Sequence, residues 1–67
     1  MKIVYDSGLD VLRILFNDLP ISESDEDKPG MILDYAQDGS IVGMEILDAS
    51  RRIQNPSRVE LALVNSL

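Results

Sequence analysis

The chain has no cysteine and no histidine among its 67 residues. The first absence excludes disulfides and thiolate metal sites. The second removes imidazole metal ligands and imidazole acid–base catalysis. Lack of cysteine fits the cytosol, where disulfides are rare, without fixing a compartment. No apolar run approaches the ~20 residues of a membrane-spanning helix. The start, Met1-Lys2-Ile3-Val4-Tyr5-Asp6, lacks the regions and cleavage site of a signal peptide. The expected location is therefore the cytoplasm, with no membrane partner. Positive charge is scarce: 6 Lys and Arg stand against 12 Asp and Glu, for a formal charge of −6. Such a chain is repelled by phosphate backbones. Its one local basic pair, Arg51-Arg52, is too little, and no nucleic-acid partner is expected.

What is present suits a small globular protein, since 45% of the residues are hydrophobic. The length suffices for one domain, residues 1–67. A domain of this size buries only roughly 60% of the surface its unfolded chain exposes. Small scaffolds offset that with disulfides, a metal or oligomerisation.

Two hairpins organise the reading. Residues 2–16 alternate around Asp6-Ser7-Gly8-Leu9, and Gly8 suits a tight turn. A turn centred on Ser7-Gly8 opposes Tyr5 to Asp10 and Ile3 to Leu12. Ile3, Tyr5, Leu12, Ile14 and Phe16 then share one face. Residues 31–47 form the second hairpin, with Asp38-Gly39 as a type I′ turn. That register opposes Tyr35 to Val42, Leu33 to Met44 and Met31 to Ile46, all on one apolar face. A one-residue slip would turn Asp34 and Glu45 inward. Between the hairpins, residues 17–30 carry Glu23, Asp25, Glu26, Asp27 and Pro29-Gly30, the composition of a mobile acidic loop.

Residues 48–54 read as a short helix, with Asp48 as N-cap and Arg51 and Arg52 at its end. Pro56 limits its extension. Residues 58–64 alternate with Val59, Leu61 and Leu63 on one side, giving an expected fifth strand; a helix is the alternative. The fold class is thus α+β and mostly β: an antiparallel sheet of two hairpins, a short helix after strand four, and a last strand. The second sheet face still carries Val4, Val11, Leu15, Ile32, Ile41 and Leu47. Exposed apolar patches mark association sites. These six are the interface candidates of an expected homodimer, the alternative being that the end of the chain folds over that face.

Taken together, Tyr5-Asp6, Asp10-Val11-Leu12, Pro29-Gly30-Met31-Ile32-Leu33-Asp34-Tyr35, Asp38-Gly39 and Val42-Gly43-Met44-Glu45-Ile46-Leu47-Asp48-Ala49-Ser50 resemble the DUF2283 family of small bacterial and archaeal proteins. The resemblance covers roughly residues 3–53 and is most specific from Gly39 to Ser50. It implies a free-standing prokaryotic cytoplasmic protein. It supplies no catalytic residues, and the family's name records that no function is assigned.

Candidate chemistry is sparse. The cluster Glu23, Asp25, Glu26, Asp27 could bind a hard cation, but it lacks the ligand spacing of a calcium loop and reads more simply as a solvated charge run. Asp34 and Glu45 fall diagonally on one face of the second hairpin, with Asp48 near the strand end as a third acid. They are weak metal or acid–base candidates. The plainer reading pairs them with Arg13 or Arg51. Gly43 within a strand suggests a bulge or close packing, or else room for a ligand. Ser50 has no histidine to activate it, so a serine nucleophile is rejected. The glycines match neither a Walker nor a dinucleotide loop.

No cofactor is expected, and no enzymatic activity. The expected function is a small non-catalytic interaction or regulatory module acting as a homo-oligomer, with an unidentified protein, as in an antitoxin-like pairing, as a further partner. The alternative is a divalent-cation or small-molecule binder using acidic residues.

Overall fold

The computed structural model describes residues 1–65. It contains five strands and one helical turn: β1 (Lys2–Asp6), β2 (Val11–Leu15), β3 (Glu23–Lys28), β4 (Met31–Tyr35), β5 (Ile41–Leu47) and α1 (Ala49–Arg52). The strands form one antiparallel sheet in the order β1-β2-β5-β4-β3. The fold is mostly β, and its helix follows strand five rather than strand four.

The first hairpin keeps its faces but not its register. Tyr5 pairs with Leu12 and Ile3 with Ile14. The turn therefore spans Ser7 to Asp10 and is longer than one centred on Ser7-Gly8. The Asp6 carboxylate accepts the Leu9 amide at 3.0 Å within it. A shift of two residues preserves alternation, so Ile3, Tyr5, Leu12 and Ile14 still share a face.

The mobile acidic loop expected at 17–30 is half strand. All six residues of β3 are exposed and polar, a composition that strand propensity disfavours. Turn geometry overrides that composition. Pro29-Gly30, with Gly30 at φ 81, fits a type II turn and folds the chain back along β4. A bulge lies beside the turn, between Glu26 and Lys28. At an edge, charge is tolerated and deters further pairing. The preceding link, residues 16–22, runs from β2 across the ends of β5 and β4. It is fastened by Phe16 N–H to Val42 O at 2.8 Å and Ser22 N–H to Tyr35 O at 2.7 Å.

The β4–β5 pairing holds Met31 against Ile46 and Leu33 against Met44, as the hydrophobic pattern requires. Tyr35, however, pairs with Ile41 rather than Val42. The turn is the cause. Gly39 N–H meets Ala36 O at 3.0 Å, and Ala36 N–H meets Ser40 O at 2.9 Å. Gly39 has φ 88, whereas Asp38 is not in the positive region. That is a type I turn closed by a left-handed glycine, not the type I′ turn that needs positive φ at both residues. The extra residue leaves a bulge at Val42 and carries Ile41 to the side of Tyr35. Gly43 sits against β2, where an added Cβ would strike the Ile14 carbonyl oxygen. Close packing thus explains this strand glycine.

The helix is shorter than residues 48–54. Asp48 stands at its start with φ 51 and makes no side-chain cap bond, contrary to its expected role. Arg51 and Arg52 do lie in its last turn. The fifth strand expected at 58–64 does not form: Val59, Leu61, Leu63 and Val64 are exposed, at 59%, 86%, 92% and 86%. Buried apolar side chains among the described residues are few, namely Leu12, Ala36, Val42 and Ala49. Among the described residues no second sheet or longer helix lies against either face.

Candidate functional site

The end of the sheet that carries the β1–β2 loop, the Pro29-Gly30 turn and α1 is organised by Asp10. Its Oδ1 accepts the Tyr5 hydroxyl at 2.8 Å and the Ser50 amide at 2.9 Å. Its Oδ2 accepts the Ser50 hydroxyl at 2.6 Å, and its backbone carbonyl accepts the Ala49 amide at 3.0 Å. Asp10 thus satisfies amides at the start of α1 that Asp48 leaves free. Both aspartates are left-handed, with φ 55 at Asp10 and φ 51 at Asp48, a conformation that aspartate tolerates better than most residues. Hydrogen bonds from Ser50 and Tyr5 hold the Asp10 carboxyl below the usual range, helped by the charge of Arg51. The same bond to Asp10, then burial and the charges of Asp10 and Asp6, pushes the Tyr5 phenol up. A carboxylate made less basic is a poor activator of a hydroxyl. Ser50 is a structural donor.

At the other side of this end, the Arg52 guanidinium lies over Gly30, so close that a Cβ there would sit 2.6 Å from it. The Gly30 carbonyl accepts the Leu47 amide at 2.9 Å.

On the second face, Val4, Val11, Leu15, Ile32 and Leu47 lie together as expected, while the bulge removes Ile41 from the group. The patch is not continuous. Arg13 Nη2 donates to Glu45 Oε1 at 3.3 Å across its middle. Asp34 is 1% exposed and accepts the Ser24 hydroxyl at 2.5 Å. The two carboxylates are diagonal neighbours, as the register requires, but each has its own partner. Asp48 stands apart at the start of α1. Among the described residues no three acidic side chains gather where they could hold a metal ion. Val4, Asp6, Leu9, Val11, Arg13 and Glu45 line a groove of about 190 Å³. Small-molecule sites span roughly 300–1,000 Å³, so the groove is small for one.

Three features escaped sequence reasoning: the acceptor role of Asp10, the Ser24–Asp34 bond, and the acidic edge strand. Pro29-Gly30 directly before an apolar run was the available signal for the last. The acids Glu23, Asp25, Glu26 and Asp27 all lie on that edge.

The family described as "Protein of unknown function (DUF2283)" matches residues 2–50, and the chain belongs to it. No curated protein matches the chain. No solved structure matches it either. Tyr5, Asp10 and Ser50, all within the matched span, tie β1, the β1–β2 loop and α1 together at one end of the sheet.

Proposed function

We propose that this member of the DUF2283 family is a non-catalytic protein-interaction module that works as a homodimer. One observation carries the reading. The accessible surface is 5429 Å² for a chain of 7.5 kDa. A compact monomer of that mass exposes about 4,250 Å². The difference, about 1,200 Å², exceeds the ~800 Å² that each partner contributes to a standard interface. The radius of gyration agrees, at 13.3 Å against about 11 Å for a compact chain of this length. Exposed apolar side chains stand both on β1, at Ile3 and Val4, and beyond the helix, at Val59, Leu61, Leu63 and Val64.

The missing histidine and cysteine support the non-catalytic half of the reading. The dimer half is tested by sedimentation equilibrium over a wide concentration range. The expected mass is twice 7.5 kDa. A single-chain mass at every concentration would overturn the proposal.

A further inference from the structure

The sheet has two edges of opposite character. β3 presents Glu23, Asp25, Glu26 and Asp27, and a strand with such an edge deters company. β1 is Lys-Ile-Val-Tyr-Asp, with one charge of each sign at its two ends, and it has neither proline nor bulge. It is an open template for another strand. The same chain contains a strand without a sheet. Beyond the turn in which the Arg58 amide meets the Asn55 carbonyl at 3.0 Å, residues 58–64 alternate Arg-Val-Glu-Leu-Ala-Leu-Val, and their apolar side chains stand in solvent.

We infer that residues 58–64 of a second copy add to β1 as a sixth, antiparallel strand, the exchange being reciprocal. The inference rests on the homodimer reading and names how the dimer is made. Registry supports it. With Leu61 opposite Ile3, Val59 falls opposite Tyr5, so the apolar side of the incoming strand extends the apolar face of the sheet. Arg58 then faces Asp6, and Glu60 lies opposite Val4, diagonal to both Lys2 and Asp6. A one-residue slip turns Val59, Leu61 and Leu63 to the face that carries Arg13 and Glu45. Bringing Glu60 opposite Asp6 sets like charges together, which is unfavourable. A parallel strand with Arg58 beside Lys2 does the same. This arrangement satisfies the hydrophobic alternation and sets Arg58 against Asp6. The chain's own segment makes no such pairing: Leu61 is 86% exposed and Leu63 is 92% exposed. A second copy supplies an identical segment, and a two-fold axis makes each copy donor and acceptor at once.

The test uses full-length protein and two variants in the unpacked segment, Leu61→Asp and Ala62→Pro, whose effect on the folded sheet is small because those side chains touch little of it. Sedimentation equilibrium is read beside amide hydrogen exchange. Wild type is expected to dimerise with slow exchange in β1 and at residues 59–63. Each variant is expected to weaken the dimer at least about ten-fold, since a buried leucine or a strand bond is lost. Two variants that dimerise as wild type does, with residues 59–63 exchanging freely, overturn strand exchange and leave the homodimer standing. A monomeric wild type overturns both, including the case in which residues 59–63 are protected by the chain's own β1.

Discussion

With one carboxylate, Asp10 engages the Tyr5 hydroxyl, the Ser50 hydroxyl and the Ser50 amide. These donors come from two residues, Tyr5 on β1 and Ser50 in α1, so Asp10 joins parts of the chain that would otherwise separate freely. The charged form makes the bonds, so the folded state holds the Asp10 proton less tightly than the unfolded chain does. Its stabilisation is therefore complete above the ordinary aspartate value and fades as pH falls below about 4. Tyr5 works in the opposite sense. Its folded value is raised, so its contribution is complete below the ordinary tyrosine value and fades as pH climbs past about 10. Asp10→Asn is expected to lower the urea midpoint at pH 7 and to flatten the acid limb of a plot of stability against pH. Tyr5→Phe is expected to flatten the alkaline limb. Unchanged limbs in both variants would show that these bonds contribute nothing to folding.

At the scale of elements, β3 is the instructive case. It has the composition of a loop and the geometry of a strand, because Pro29-Gly30 dictates the reversal and β4 supplies the partner. Its acids are then useful where they stand, on a rim that must not pair. Replacing Asp25 and Asp27 together by valine is expected to produce concentration-dependent aggregation, visible as rising light scattering, with the monomer sheet intact. Clear solutions from that variant would remove the guarding role of the edge. The paired stretch Met31–Leu33 with Met44–Ile46 was legible from its apolar alternation, although Asp34, expected to be kept out of the interior, is buried in the observed register against Ser24. The pairing of Tyr35 was not, since Asp-Gly closes a three-residue loop as readily as a two-residue one. Residues 58–64 alternate as a strand does, but alternation cannot say whether a neighbour is at hand. The Asp34–Glu45 diagonal was legible, whereas their separate partners, Ser24 and Arg13, depend on contacts between distant strands.

At the scale of the whole molecule, the dimensions are 40 × 31 × 19 Å, those of a slab rather than a ball. A slab buries little alone, and if the proposed homodimer forms, its stability is tied to protein concentration. A hundred-fold rise in concentration contributes about 2.7 kcal/mol by mass action. The melting temperature is expected to rise by on the order of 10 °C over that range. Calorimetry at several concentrations reads this directly, and a melting temperature that does not move would count against association.

The strand order has a consequence for how the chain finds its fold. β2 and β5 lie side by side near the middle of the sheet, yet their nearest paired residues are Leu15 and Gly43. Closing that gap in a bare chain is entropically unfavourable, and the penalty grows with the length enclosed. The β3–β4–β5 ribbon needs only short turns. Once it exists, only the link from Phe16 to Ser22 remains to be closed, and its Ser22 end is already anchored by the amide bond to Tyr35 O. The least costly route builds two ribbons from their own turns and joins them last, along the seam where Arg13 meets Glu45.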